Sequence, residues 1–322
     1  MLDAKIMTLT PFGWVAQRQA AFSVYAADGL VAGRVVGEHR THYQVAIGEI
    51  ELTAQAMGKL RNDSALRSDL PGVGDFVALR PSLSDGPATI EAVLPRATAL
   101  IRKASGKETP QLLAANVDFV FIVTGLDGDF NVARVVRFLD LVGDSGATPV
   151  IVANKTDVSK DAAAATQQLV EAAPGVALHA ISARAGTGVA ELERYFGGNR
   201  TVVLIGSSGA GKSTLINKLL GDERQVTGEV RGHDSRGRHT TTQRQLFLRP
   251  GGGAIIDTPG MRGLELRVEA EPVARDFDDV EALARQCKFS NCRHISEPGC
   301  AVRAAIARGD LDAARLAEYA KG

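Results

Sequence analysis

Gly206-Ser207-Ser208-Gly209-Ala210-Gly211-Lys212-Ser213 matches the pattern G-x-x-x-x-G-K-[ST]. The apolar run 201–205 before it predicts a buried strand, and Thr214–Leu220 after it predicts a helix. In this arrangement glycine lets backbone N–H groups turn inward around phosphate oxygens, and the helix N-terminus adds positive potential. We therefore predict a nucleotide phosphate site, with Lys212 reaching the β- and γ-phosphates and Ser213 binding Mg²⁺. The predicted contact residues are Gly206, Ser207, Ser208, Gly209, Ala210, Gly211, Lys212, Ser213 and Thr214.

A second motif points to the base of the nucleotide. Asn154-Lys155-Thr156-Asp157 directly follows the apolar run Pro149–Ala153, at the carboxyl end of a predicted strand where open α/β sheets bind ligands. It resembles the N-K-x-D guanine box of GTPases. Asp157 can accept hydrogen bonds from both guanine N1–H and the exocyclic amine, a pairing that adenine cannot make. Lys155 is expected to lie along the base plane, and Asn154 belongs to the same predicted nucleotide-binding set.

Two further segments agree with this interpretation. Ile181-Ser182-Ala183-Arg184, at the end of the next predicted strand, resembles the S-A loop that closes over guanine, so Ser182 and Ala183 join the predicted nucleotide site. Asp257-Thr258-Pro259-Gly260 resembles the D-x-x-G switch motif. There Asp257 is expected near Mg²⁺, through water, and the Gly260 N–H is expected to sense the γ-phosphate.

Residues 237–242, Gly-Arg-His-Thr-Thr-Thr, lie between the phosphate loop and the D-x-x-G motif. Thr241 is the expected switch-I ligand of Mg²⁺, which gives a predicted magnesium set of Ser213, Thr241 and Asp257. Ras-type GTPases place a water-orienting Gln after the D-x-x-G glycine, but this chain has Met261. His239 is the best polar candidate for that catalytic role, with Arg238 and Arg262 as weaker candidates for charge stabilisation.

The order of the motifs is unusual. In a Ras-like GTPase the phosphate loop comes first and the guanine box fourth, whereas here the guanine box and S-A loop precede the phosphate loop. We interpret this as a circular permutation, which keeps the same spatial site because the termini of such a domain lie close together at the surface.

A cluster of metal-binding residue types follows. Cys287-x4-Cys292-x-His294-x5-Cys300 contains every cysteine of the chain and supplies four ligands, the number for a closed tetrahedral Zn²⁺ site. The spacing differs from that of a C2H2 finger, and no ligand position is left for water, so we predict one structural zinc ion. Three unpaired cysteines beside a surface histidine are the alternative.

The spacing of hydrophobic residues divides the rest of the chain into regions of different fold. Short β segments are predicted at residues 21–26, 29–36, 42–47, 49–53 and 75–79, which indicates a small β-barrel, with a β-sandwich as the alternative. From about residue 116, apolar strands alternate with amphipathic helices, as in a parallel sheet covered on both faces. We therefore expect an N-terminal OB-fold-like barrel (1–98), a central circularly permuted α/β GTPase domain (99–265) and a small helical zinc-binding domain (266–322).

Composition limits the remaining choices. The 322 residues are 45% hydrophobic and 23% charged, which excludes disordered, collagen-like and coiled-coil classes. Because 37 Lys and Arg residues balance 37 Asp and Glu residues, nucleic-acid binding must depend on local patches or shape. Neither a run of about 18 apolar residues nor a secretory signal is present, so a cytoplasmic protein without membrane association is expected.

The set of motifs, in this order and followed by the Cys/His cluster, resembles the ribosome-small-subunit-dependent GTPase A family (RsgA, also called YjeQ). The resemblance implies an OB-fold N-terminal domain that binds the ribosome and rRNA. It also implies hydrolysis of GTP to GDP stimulated by the 30S ribosomal subunit, a role in late 30S maturation as a checkpoint or release factor, and contacts with 16S rRNA. Within it, His239 matches the histidine proposed to be catalytic. We expect a monomer.

Two other functional classes remain open at this point. A ribosome- or RNA-binding module with a regulatory nucleotide site and negligible turnover is favoured by Met261. A P-loop ATPase or kinase is disfavoured by Asp157, since that carboxylate is suited to guanine.

Overall fold

The computed structural model describes residues 8–58, 60, 67–82, 86–102, 110–221, 244–258, 278–289, 292–295, 297–311 and 316. The chain forms two compact units, Met1–Val268 and Glu269–Gly322.

A closed barrel occupies the N-terminal part. Within the described residues its five strands follow the order β1-β2-β3-β5-β4, and β4 pairs back with β1. β3 and β5 are parallel, with Ala54 opposite Ala88, and the other barrel pairs are antiparallel. Closure of the sheet on itself confirms the OB-fold barrel and excludes the sandwich. The strands are β1 (Val31–Glu38), β2 (Tyr43–Ile47), β3 (Ile50–Ala56), β4 (Phe76–Arg80) and β5 (Ala88–Val93).

Close approach inside the barrel depends on Gly33. A Cβ atom at this position would lie 2.5 Å from a methyl of Val45 and 2.8 Å from a methyl of Leu79, which belong to the two strands flanking β1. Those side chains are fully buried in the barrel core together with Ile90. Glycine therefore lets neighbouring strands bring large apolar side chains together over β1.

The strand predicted at residues 21–26 is wrong. Ala16–Ala26 forms a helix, α1, after a 3-10 turn at Thr10–Phe12. Helical spacing puts Phe22 and Tyr25 on one face, where they pack near Phe76, and leaves Val24 66% exposed. Taken alone, these six residues fit the alternation of a strand, whereas the longer segment follows the helical period. The fifth barrel strand is instead β5, which the sequence analysis did not predict.

The nucleotide-binding part continues the same sheet. In the described residues six further strands follow the order β10-β9-β8-β11-β13-β12, all parallel except β12. β11, which leads into the phosphate loop, lies between β8 and β13, so it is buried on both sides. The strands are β8 (Phe119–Gly125), β9 (Thr148–Asn154), β10 (Ala177–Ala180), β11 (Thr201–Gly206), β12 (Gln245–Leu248) and β13 (Ala254–Asp257).

Helices cover both faces of this part, as predicted. Val203 and Ile205 of β11 share a core with α2 (Val132–Gly143) and α3 (Ala162–Ala172). Val202 and Leu204 point the other way, into a core shared with α4 (Lys212–Leu220) and the 3-10 helix Val189–Phe196. Because neither face of β11 is in contact with water, its residues have to be apolar along the whole strand.

Two of the contacts between the described barrel residues and the GTPase part involve β1. β1 pairs with β12 at Gly37 and Gln245, and Arg244 donates to a carboxylate oxygen of Glu38 at 3.0 Å and to the carbonyl of Leu112 at 2.8 Å. Leu112 belongs to a two-stranded antiparallel ribbon, β6 (Ala99–Arg102) and β7 (Gln111–Ala115), that the sequence analysis did not predict.

The second meeting place is the buried guanidinium of Arg34. It donates to the Thr201 hydroxyl at 2.9 Å, to the carbonyl of Asn116 at 3.1 Å and to the carbonyl of Gly74 at 3.2 Å, and it also bonds to the carbonyl of Phe12. Burial, followed by the charge of a neighbouring arginine, lowers the pKa of Arg34 to about 9, so the side chain is charged at neutral pH. One side chain thus joins the barrel to the strand that leads into the phosphate loop.

The C-terminal unit is small. Its described helices are α5 (Asp278–Ala284) and α6 (Ala301–Arg308), and Cys300 is the N-cap residue of α6. Val280, Val302 and Ala305 are fully buried between them. The described part of this core is limited, so we expect a bound metal ion to contribute to folding.

Candidate nucleotide site and metal centre

The phosphate loop has the backbone that its glycines predict. Gly206 has a φ of 143°, and a Cβ there would lie 2.0 Å from the carbonyl oxygen of Val123 on β8. Gly211 has a φ of 93°, and its Cβ would lie 2.3 Å from Nδ2 of Asn154. A larger residue would clash with the Val123 backbone at the first position and would displace the Asn154 amide at the second, and both φ values favour glycine.

The lysine of the loop lies inside it. Nζ of Lys212 donates to the carbonyl oxygens of Gly206 and Ser207 at 2.7 and 2.6 Å. Ser208 and Gly209 at the tip are exposed, as is Ser213 at the start of α4, whereas Ala210 is buried and Thr214 is half-buried. The loop therefore presents an ammonium group and a hydroxyl at the N-terminus of a helix, which is the arrangement that binds phosphate and its cation.

The side chain of Asn154 joins the base motif to its neighbours. It is 2% exposed; Nδ2 donates to the carbonyl of Ala210, and Oδ1 accepts from the Ala183 N–H, both at 2.9 Å. The structure thus brings together the phosphate loop, the predicted guanine box and the S-A loop. Asn154 uses both ends of its amide in these contacts, which positions the two loops relative to each other.

The S-A loop is closed by its own hydrogen bonds. Ser182 is 1% exposed, and its hydroxyl accepts from the Ala185 N–H at 3.1 Å. Its own N–H donates to the carbonyl of Thr187 at 3.0 Å. Asp157 of the predicted guanine box lies on an exposed turn, so its carboxylate is accessible to a ligand.

A neighbouring loop that sequence reasoning missed carries two carboxylates. Residues Leu126–Phe130, here called the acidic loop, follow β8 and contain Asp127 and Asp129. Asp127 forms an ion pair with Nζ of Lys155, and Asp129 bonds to Arg134 at 2.7 Å. Their position at the carboxyl end of a predicted strand was the available signal.

The switch motifs lie only partly within the described residues. Asp257 ends β13, next to the phosphate-loop strand, and the adjacent Thr258 hydroxyl donates to the carbonyl of Leu204 at 3.2 Å. The remaining switch calls fall outside the described part of the chain: Gly260, Met261, Arg262, Arg238, His239 and Thr241.

The predicted metal ligands converge. One donor atom from each of Cys287, Cys292, His294 and Cys300 lies within 4.8 Å of the others. Nδ1 of His294 is 3.4 Å from Sγ of Cys300 and 3.6 Å from Sγ of Cys287. A tetrahedral ion with bonds of about 2.0–2.3 Å separates its ligand atoms by about 3.3–3.8 Å, so three thiols and one imidazole fit a closed metal site here.

Comparison with known proteins agrees with this geometry. The sequence model of the RsgA GTPase family matches residues 93–267. The chain belongs to the RsgA GTPase family. It is accordingly a GTP hydrolase, and the motif order is that of a circularly permuted member.

Relatives in the RsgA family cover almost the whole chain. The small ribosomal subunit biogenesis GTPase RsgA of Opitutus terrae is 46% identical over 98% of this chain and 89% of its own length. The small ribosomal subunit biogenesis GTPase RsgA 2 of Lactiplantibacillus plantarum is 44% identical over 91% of this chain and 83% of its own.

Solved structures show the same fold. The crystal structure of YjeQ from Thermotoga maritima has a TM-score of 0.55 at 28% identity, covering 91% of this chain and 96% of that one. YloQ, a circularly permuted GTPase, has a TM-score of 0.52 at 24% identity, covering 91% and 94%. None of the helices described in the present structure is long and apolar enough to cross a membrane.

Proposed function

We propose that this RsgA-family GTPase hydrolyses GTP to GDP and phosphate during late maturation of the small ribosomal subunit. The 30S subunit stimulates hydrolysis, and hydrolysis releases the protein, so that it acts as a checkpoint. The names of the relatives support the assignment to small-subunit biogenesis. The observation that carries the nucleotide assignment is the Asn154 amide, which joins the phosphate loop to the S-A loop.

Guanine selection is assigned to the box and the S-A loop. Asp157 accepts from guanine N1–H and the exocyclic amine, Lys155 packs along the base, and Ser182 and Ala183 close over it. Asn154 holds these parts at a fixed distance from the phosphate loop. This arrangement rejects adenine because adenine offers no donor pair to a carboxylate.

Phosphate binding is assigned to residues 206–214. Lys212, which bonds two loop carbonyls, turns to the β- and γ-phosphates when nucleotide binds. Ser213, Thr241 and Asp257 hold Mg²⁺, whose positive charge neutralises phosphate oxygens. The Gly260 N–H senses the γ-phosphate, and His239 orients the attacking water.

The outer parts of the chain are assigned to docking. The barrel, proposed as domain 1–98, binds the 30S subunit and its 16S rRNA, and the metal-binding domain, 266–322, contributes a second surface. Cys287, Cys292, His294 and Cys300 hold one structural Zn²⁺, because soft thiolates favour zinc over hard cations. The protein acts as a cytoplasmic monomer in this proposal.

Hydrolysis rates test the proposal directly. We would measure GTP turnover by the purified protein alone, with 30S subunits and with 50S subunits, for the parent and for His239→Ala. A large rise specific to 30S, lost in His239→Ala, supports both the partner and the catalytic residue. Tight GTP binding without a rise on adding 30S refutes the proposed activator, and an unimpaired His239→Ala variant refutes the role of that histidine.

A further inference from the structure

The contact between Asp127 and Lys155 lies at the carboxyl ends of the neighbouring strands β8 and β9. Leu126 donates its N–H to the carbonyl of Asn154 at 2.8 Å, so the acidic loop is tied to the guanine box by the backbone. A Cβ at Gly125 would lie 2.8 Å from Oδ1 of Asp127 and 3.4 Å from Cδ of Lys155. The carboxylate and the lysine stem therefore pack closely over Gly125, in space that a larger residue would share with them.

The backbone of Lys155 is held in an uncommon conformation. Its φ is 69°, a left-handed conformation that a non-glycine residue adopts only when its surroundings enforce it. The enforcement is visible: the Thr156 N–H donates to the carbonyl of Ile181 at 3.1 Å, and the Val158 N–H donates to the carbonyl of Lys155 at 3.2 Å. The four-carbon stem of Lys155 remains the flexible part of the motif.

Asp127 contacts the end of that stem. Both side chains are about a third exposed, 30% for Asp127 and 29% for Lys155, and the ammonium group is in contact with Oδ2. The hydrogen bond from Lys155 lowers the pKa of Asp127, so the carboxylate is ionised at neutral pH. The other carboxylate oxygen faces the N–H of Asp129 within its own loop.

We propose that Asp127 is a positioning residue for guanine recognition. By holding the Lys155 ammonium group over Gly125, it lays the Lys155 stem in the orientation that packs against the base. The inference rests on the proposed role of Asn154-Lys155-Thr156-Asp157 as the guanine box. Because the contact is on the base side of the nucleotide, its effect is the same for GDP and GTP.

Equilibrium binding of fluorescent GDP and GTP analogues tests this role. Asp127→Asn keeps the size of the side chain and removes its charge, and we expect affinity for both nucleotides to fall by about 3- to 10-fold. In hydrolysis assays the loss falls on KM, with kcat retained. Asp127→Glu recovers most of the affinity, since it keeps the carboxylate. Asp140→Asn removes the same charge from an exposed position on α2 and is the matched control.

A double-mutant comparison separates positioning from general damage. In a Lys155→Ala background the Asp127→Asn change has nothing left to position, so we expect no further loss of affinity. An Asp127→Asn variant that binds GDP like the parent, or a loss that adds fully to that of Lys155→Ala, overturns the role of Asp127. A parent that binds ADP as tightly as GDP refutes the guanine assignment and this inference with it, whereas a guanine-selective parent leaves the proposed base site standing.

Discussion

Nδ2 of Asn154 donates a hydrogen bond to the carbonyl oxygen of Ala210 at 2.9 Å, across 56 residues of sequence. The guanine box and the phosphate loop therefore share a direct contact, although the permutation places them far apart in the chain. Oδ1 of the same side chain accepts from Ala183, so one buried amide sets the geometry between three loops.

Replacing that amide is predicted to weaken nucleotide binding. Asn154→Ala leaves a buried carbonyl at Ala210 and a buried N–H at Ala183 without partners, at a cost of about 1–3 kcal/mol each. We expect affinity for GDP, measured by titration calorimetry, to fall by about 10- to 100-fold. Gln167→Ala removes an exposed amide on α3 and serves as the control. Parent-like affinity in Asn154→Ala would contradict this interpretation.

Base selectivity is predicted to depend on Asp157. Asp157→Asn removes the acceptor pair for guanine and supplies an amide that can donate to the additional carbonyl of xanthine. We expect the preference for guanosine over xanthosine nucleotides to fall by about 100-fold or more, measured by competition between GDP and XDP. An unchanged preference for GDP would count against assigning the base to this residue.

Zinc is predicted to stabilise the C-terminal unit without shaping the nucleotide site. Cys292→Ala removes one of four converging ligands, and we expect loss of bound zinc and unfolding of residues 269–322. Affinity for GDP should stay within about twofold, because the mutation leaves the residues of the guanine box and phosphate loop in place. Metal analysis and proteolysis of the purified variant provide the measurement, and a variant with the zinc content of the parent would falsify the ligand set.

Arg34 is predicted to stabilise the junction between the barrel and the GTPase part. Arg34→Met fills similar space but leaves the carbonyls of Phe12, Gly74 and Asn116 without this donor, so we expect a loss of about 3–5 kcal/mol in the free energy of unfolding. Urea unfolding measures the change. Arg80→Met removes a half-exposed partner of Glu91 and should cost less than about 1 kcal/mol. Equal losses in the two variants would argue against a special role for Arg34.

Sequence patterns predicted the parts of the fold in which burial in the tertiary structure leaves a clear pattern of apolar residues in the local sequence. The run 201–205 has to be buried on both faces, so it is continuously apolar, and β11 is found there. Residues 21–26 mislead because Phe22 and Val24 fit the alternation of a strand while Phe22 and Tyr25 fit the spacing of a helix, and six residues cannot distinguish the two.

Contacts between segments that are far apart in the sequence leave no such pattern of apolar residues. The sequence around Asp127 gives no sign of its contact with Lys155. The sequence around Arg34 likewise gives no sign of its hydrogen bond to Thr201. Motifs located Asn154, but its link to Ala210 depends on the strand order β9-β8-β11, which only the tertiary structure supplies. His239 stays a prediction from the sequence, since it lies outside the described residues.

The residues that meet at the Arg34 junction are synthesised at different times. Arg34 and Thr201 are 167 residues apart, and at about 5–20 residues per second the hydroxyl is made roughly 10–30 s after the guanidinium. Once residue 93 is made the barrel strands are complete, while the arginine in their wall still lacks its partners at Asn116 and Thr201. A nascent chain truncated before residue 201 therefore carries an incompletely satisfied cation at the barrel surface, and only completion of β11 closes the junction.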